Sequence, residues 1–86
     1  MPAKNGQTQR FSVSSSHEIE VRKILGAVYS SLVEKGYDPI NQISGYILTG
    51  DPTYITNFNN ARTLIATLDR DELMNLLIKN YLRTEN

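Results

Sequence analysis

Apolar residues recur at three- and four-residue steps in four separate stretches of the chain, a spacing that is typical of amphipathic helices. The first stretch predicts a helix at about residues 16–35. Ser15 followed by Glu18 is a capping-box pattern at its start, and Gly36 suits the left-handed position after its end. The predicted apolar stripe consists of Val21, Ile24, Leu25, Val28, Tyr29 and Leu32.

Two Asp-Pro pairs predict the beginnings of the next two elements, because aspartate caps a helix and proline fits its first position. Asp38-Pro39 begins a helix from about 39 to 49, which Gly50 ends. Asp51-Pro52 begins a short helical turn that runs through Ile55. The apolar face of the second helix consists of Ile40, Ile43, Tyr46 and Ile47.

Two further helices complete the predicted fold. The third covers about residues 59–67, after a polar break made by Asn57, Asn59 and Asn60. The fourth begins at Asp69, where Glu72 completes a capping box and Leu68 forms a hydrophobic staple with Leu73. No stretch alternates as a strand does. The fold class is therefore all-α: a compact bundle of four main short helices plus a helical turn.

The N-terminal segment differs from the rest, because it is polar and rich in serine, glutamine and asparagine. Such a segment buries too little apolar area to offset its conformational entropy. We predict a flexible regulatory tail at residues 1–15 and a helical dimerisation domain at residues 16–86. Residues 1–16 carry two basic side chains and no acidic one, whereas the remainder carries seven basic and nine acidic ones.

Composition limits the chemistry that the chain can perform. It has no cysteine, and His17 is its only histidine. The acidic side chains also lack metal-ligand spacing, so we predict no metal, no cofactor and no enzymatic activity. We assign Asp69, Asp71 and Glu72 to helix capping, and the five tyrosines to core or interface packing. No apolar run approaches the roughly 18 residues of a membrane span, so we expect a cytoplasmic protein without membrane insertion.

Size favours self-association, because a domain this small has marginal stability and this one lacks disulfides and metals. We therefore expect a homodimer. Gly45 has two interpretations: close approach of another helix, including one across a dimer axis, or simple tolerance of a glycine. Residues assigned to a dimer interface are Ile43, Gly45, Tyr46 and Ile47.

An alternative function is a small helix-turn-helix-like nucleic-acid-binding module. A recognition helix needs side chains that reach bases and phosphates. Residues 39–56 contain no lysine or arginine, and the third helix offers only Arg62. Together with the net acidic body, this argues against nucleic acid as a partner.

One longer stretch resembles a known family. Residues 34–43 read EKGYDPINQI, residues 45–52 read GYILTGDP, and Tyr54-Ile55 follows. This pattern resembles the signature of the IreB family, small regulatory phosphoproteins of Gram-positive bacteria. Ala61-Arg62, residues 69–73 and Tyr81-Leu82 continue the resemblance, which covers about residues 10–83.

The resemblance implies a compact helical homodimer with an unstructured N-terminus and no enzymatic activity. It also implies phosphorylation of an N-terminal threonine by a transmembrane Ser/Thr kinase that senses the cell wall, with a phosphatase that opposes it. The implied role is negative control of intrinsic cephalosporin resistance, as part of the response to cell-wall stress. The downstream partner protein stays unknown.

The phosphoacceptor that the resemblance implies is Thr8. Thr8-Gln9-Arg10-Phe11 is similar to the family's element of threonine, any residue, a basic residue and phenylalanine. Some members have a second threonine three residues earlier, where this chain has Asn5. The family also tends to have a proline and basic residues after the short helical turn, whereas this chain has Thr56, Asn57 and Phe58.

Overall fold

The computed structural model describes the backbone of residues 3–83 and the side chains of residues 17–83. Its helices are α1 (Ala3–Glu34), α2 (Pro39–Thr49), α3 (Ala61–Ala66) and α4 (Arg70–Leu82). Two 3₁₀ turns, Pro52–Tyr54 and Phe58–Asn60, connect α2 to α3. The described part of the chain contains no strand, and the predicted all-α bundle of four helices is confirmed.

Helix α1 begins at Ala3, ahead of the start that Ser15 and Glu18 predicted. The predicted flexible tail falls on residues 1–15, whose side chains lie outside the described residues, so it stays a prediction. The core face of α1 is confirmed but is narrower than predicted. Leu25 is half-buried and Tyr29 is exposed, whereas the fully covered apolar positions are Val21, Ile24, Val28 and Leu32.

Helix α2 has the predicted bounds because both of its ends are set by local chemistry. The Asp38 carboxylate accepts a hydrogen bond from the Asn41 backbone N–H at 3.3 Å. Pro39 occupies the first turn. At the other end Gly50 has a φ of 76° and donates its N–H to the Tyr46 carbonyl at 2.7 Å. This is the left-handed end that a glycine provides without steric cost.

The predicted short turn after Gly50 is confirmed, and a second turn was not predicted. Asp51 caps the first turn, accepting from the Thr53 backbone N–H at 3.0 Å. The second turn places Asn59 and Asn60 at φ values of 55° and 60°. Asparagine tolerates this left-handed conformation, but an α-helix cannot continue through it. Helix α3 therefore begins at Ala61, later than the predicted start near residue 59.

Helix α4 has the predicted cap but not the complete capping box. Asp69 accepts a hydrogen bond from the Asp71 backbone N–H at 3.1 Å. Glu72 was predicted to complete the box, but its carboxylate pairs instead with His17 Nε2, 3.3 Å away on α1. Leu73 is almost fully buried, as its place in the predicted hydrophobic staple requires.

The core lies between α1, α2, α3 and the first 3₁₀ turn. Side-chain hydrogen bonds to backbone carbonyls hold the connecting segment against it: Gln42 donates to Tyr54 at 2.9 Å, and Arg62 donates to Ile55 at 2.8 Å. The buried cluster consists of Ile24, Val28, Leu32, Tyr46, Ile55, Ala61 and Ile65.

The junction between α2 and α4 generates a test of stability. Arg70 Nη1 donates to the Ile47 carbonyl at 2.9 Å, and its guanidinium lies against Gly50. A Cβ at Gly50 would lie 2.8 Å from Arg70 Cζ and would also be strained at positive φ. We expect Gly50→Ala to lower the free energy of unfolding by about 1–2 kcal/mol from backbone strain. Displacement of the exposed Arg70 hydrogen bond should add up to about 1 kcal/mol to this loss.

Gly36→Ala is the matched control, because Gly36 also has a positive φ of 85° but faces open space. Urea unfolding of both variants at one protein concentration should show the larger loss for Gly50→Ala. Equal losses would mean that the contact with Arg70 contributes nothing.

Gly45 allows a close approach within the chain itself. A Cβ at this position would overlap the Tyr54 ring, with Tyr54 Cδ1 2.6 Å away. We expect Gly45→Ala to lower the free energy of unfolding by about 1–3 kcal/mol, because overpacking outweighs the better helix propensity of alanine. Replacing Tyr54 with leucine in the same chain should recover part of the loss.

Gly26→Ala, measured at a protein concentration at which the chain is monomeric, is the control, since Gly26 is also inside a helix and nothing lies within 4 Å of an added Cβ. That variant should gain up to about 1 kcal/mol. A similar gain for Gly45→Ala in thermal and urea unfolding would refute the steric role of Tyr54.

Candidate functional site

An apolar groove of about 550 Å³ lies between α1, α2 and α4. Leu25 and Gly26 of α1 contribute to one side, Ile43 and Ile47 of α2 to another, and Leu77 of α4 to a third. Leu25, Ile43 and Ile47 are half-buried and pack against the core on one side while they line the groove on the other. The groove thus exists because three helices carry a second apolar edge.

The rim of the groove has little charge. Glu18 and Arg22 of α1 bring one charge of each sign, and Asn80 of α4 adds an amide. Ile40 and Tyr29 extend the apolar surface outwards, with 64% and 47% of their surface exposed. Such a lining suits an apolar side chain or helix face, and it offers no nucleophile paired with a base.

Helix α4 continues this surface, because most of its apolar residues do not reach the core. Leu73 is its one buried side chain within the described part of the helix, whereas Tyr81 is 88% exposed. Residues at steps of three and four share one face of a helix. Leu77 of this face lines the groove. The other exposed apolar residues of the face, which we call the α4 ridge, are Met74, Ile78, Tyr81 and Leu82.

The four residues assigned to a dimer interface separate into two pairs. Ile43 and Ile47 both line the groove. Tyr46 belongs to the buried core, with 8% of its surface exposed, and Gly45 faces the Tyr54 ring. The homodimer interface itself stays a prediction. The sequence analysis did not predict the α1 and α4 parts of the groove. Two features of the sequence could have indicated them: the α1 apolar stripe is wider than one buried face, and the C-terminal part of α4 is apolar.

Thr8 lies outside the residues whose side chains are described, so its role stays a prediction. The nearest described feature is the pair between His17 and Glu72, which joins α1 to α4 at 3.3 Å. Both side chains are about half exposed. Exposed pairs of this kind contribute roughly 0–1 kcal/mol. The pair therefore adds little to the stability of the fold.

Asp51 is the one described group with a resolved change in acidity. Hydrogen bonds from the Thr53 backbone N–H and hydroxyl lower the pKa of its carboxyl below the ordinary 3.8, and Arg62 adds a smaller effect in the same direction. The carboxylate therefore stabilises the turn at neutral pH. That contribution is lost only as the pH falls through the lowered pKa.

Other chemistry is sparse among residues 17–83. No three histidine or acidic side chains in this part of the chain could hold a metal ion together. None of the described helices combines the length and the apolar character that a bilayer span requires. Arg62, the one basic residue of α3, donates its Nε–H to the Ile55 carbonyl, which places that group inside the fold.

The loop at Thr56, Asn57 and Phe58 has its own local structure. Thr56 Oγ1 accepts from the Phe58 backbone N–H at 3.2 Å. Lys35 Nζ lies 5.2 Å from the centre of the Phe58 ring, within the range of a cation–π contact. A positive charge from the end of α1 is thus present beside a loop whose own residues carry none.

Comparison with known proteins identifies the family of the chain. The profile of the family described as IreB regulatory phosphoprotein matches residues 6–83. The chain is also 51% identical over 80 residues to a UPF0297 protein of Ruminiclostridium cellulolyticum, which covers 93% of this chain and 91% of that protein. The chain therefore belongs to the IreB family of regulatory phosphoproteins.

Proposed function

We propose that the chain is a non-enzymatic regulatory phosphoprotein whose phosphoacceptor is Thr8. The observation that carries the proposal is the extent of the family match, which begins at residue 6 and so includes Thr8-Gln9-Arg10-Phe11. The groove supports the non-enzymatic part, because its lining is mostly apolar and its charges are a single Glu18 and a single Arg22. Its chemistry suits binding to another protein surface.

The proposed phosphate acts by changing the net charge of the N-terminal segment. Lys4 and Arg10 make the first sixteen residues basic, and one phosphate adds about −1.5 to −2 at neutral pH. Glu18 and Glu20 are both exposed on the adjoining part of α1. Phosphorylation thus brings the N-terminal segment close to neutral and removes most of its attraction to these carboxylates. The segment then becomes available to a basic partner.

The proposed partners follow from this switch. A transmembrane Ser/Thr kinase adds the phosphate in the cytoplasm and a phosphatase removes it. A second copy of the chain completes a homodimer, and an unidentified protein receives the signal. The proposed role is negative control of the response to cell-wall stress and of cephalosporin resistance.

Phosphorylation of the full chain tests the acceptor directly. After incubation with the cytoplasmic domain of a transmembrane Ser/Thr kinase from the same bacterium, we expect the phosphate on Thr8, because it is the threonine of the Thr8-Gln9-Arg10-Phe11 element. Phosphopeptide mass spectrometry is the measurement. Thr8→Ser should retain the modification and Thr8→Ala should lose it, whereas Ser14→Ala serves as a control that changes nothing. Phosphate confined to the serines at 12–16 would refute the assignment.

Cephalosporin susceptibility tests the cellular role. Deletion of the coding sequence should raise the minimal inhibitory concentration, because a negative regulator is lost. Wild-type complementation should restore susceptibility, and complementation with Thr8→Ala should give a response that no longer follows kinase activity. An unchanged inhibitory concentration in the deletion strain would remove this role while leaving the phosphorylation result intact.

A further inference from the structure

The described residues leave a large apolar area uncovered on one side of the molecule. Its exposed members are 40–88% accessible: Tyr29, Ile40, Met74, Leu77, Ile78, Tyr81 and Leu82. At roughly 200 Å² for a fully exposed large side chain, they present on the order of 800 Å², about the share of one partner in a standard protein–protein interface. Tyr29, Ile40 and Leu77 line the groove, and the remaining four belong to the α4 ridge, which adjoins the groove at Leu77. Monomeric proteins rarely expose apolar patches larger than a few hundred Å².

The charges around this area fit a surface that meets itself. The groove carries Glu18 and Arg22, one charge of each sign. Helix α4 carries two basic and two acidic side chains, again without net charge. Neither part attracts a polyanion such as nucleic acid. Two copies of this surface also do not repel each other, because neither has an excess of one sign.

The two parts of the surface have opposite shapes. The α4 ridge projects Tyr81, which is 88% exposed, whereas the groove has Gly26 in its lining, with nothing within 4 Å of an added Cβ. A large side chain therefore has room above Gly26. In an interface with two-fold symmetry each copy offers the same patch, so a ridge beside a groove on one chain supplies both halves of the contact.

We propose that the α4 ridge of one copy inserts into the groove of a second copy, with Tyr81 of each chain packed over Gly26 of the other. This inference rests on the proposed homodimer and names its surface. It assigns the contact to α1, α2 and α4 together, with Ile43 and Ile47 as the contribution of α2. Gly45 and Tyr46 take no part in it.

Cross-linking of the full chain tests the arrangement, because the protein contains no cysteine of its own. Gly26→Cys and Tyr81→Cys single variants are mixed and oxidised, and the linked peptides are identified by mass spectrometry. We expect a disulfide between the two chains, since a bridge needs Cα atoms within about 7 Å. Leu48→Cys replaces Gly26→Cys in the control, because Leu48 is 76% exposed on α2 but does not line the groove.

Analytical ultracentrifugation gives the second measurement. Gly26→Leu fills the groove and Tyr81→Asp charges the ridge, so each should weaken the dimer at least tenfold, whereas Leu48→Asp should leave it unchanged. Far-UV circular dichroism verifies that the variants are folded. A disulfide through Leu48→Cys, together with an unweakened dimer in Gly26→Leu and Tyr81→Asp, would refute this interface but not the homodimer. A wild-type chain that stays monomeric would overturn both, while the phosphate on Thr8 is measured independently.

Discussion

The packing of α1 against Ile55 and Ile65 is the contact on which the rest of the structure depends. Val28 and Leu32 of α1 are fully buried together with these two isoleucines, which come from the first 3₁₀ turn and from α3. Removing one large buried side chain costs about 2–5 kcal/mol, a large share of the roughly 5–15 kcal/mol that stabilises a typical domain. Helices α2 and α3 contribute Tyr46 and Ala61 to the same buried cluster.

The ends of helices were predictable where the deciding residues are neighbours in sequence. Asp38, Pro39 and Gly50 set the bounds of α2 by capping and backbone conformation alone. The start of α3 was placed too early, because the sequence shows two asparagines but not that both adopt positive φ. Glu72 fits a capping box locally, yet His17 on a distant part of the chain competes for its carboxylate. Tertiary contacts of this kind have no signature in the local pattern.

The candidate site was predictable only in part, and helical geometry explains why. Residues in a helix follow each other at 100°, so Ile43 and Ile47 share a face while Gly45 lies nearly opposite them. The interface prediction included Gly45 for close approach of another helix and the other three residues for their apolar character, and neither criterion tells which residue lines the groove. The contributions of Leu25 and Leu77 depend on how α1 and α4 pack beside α2. That packing is a property of the folded chain and not of any one helix.

The groove carries no net charge, which limits how the proposed phosphate on Thr8 can act. Exposed charges more than about 8 Å apart are largely screened at physiological ionic strength. The pair between His17 and Glu72 is also too exposed to transmit much energy from α1 to α4. A phosphate therefore changes the groove only when the N-terminal segment, or a partner bound to it, lies directly against the helices. Under the proposed function, regulation then depends on competition for the surface of the helices.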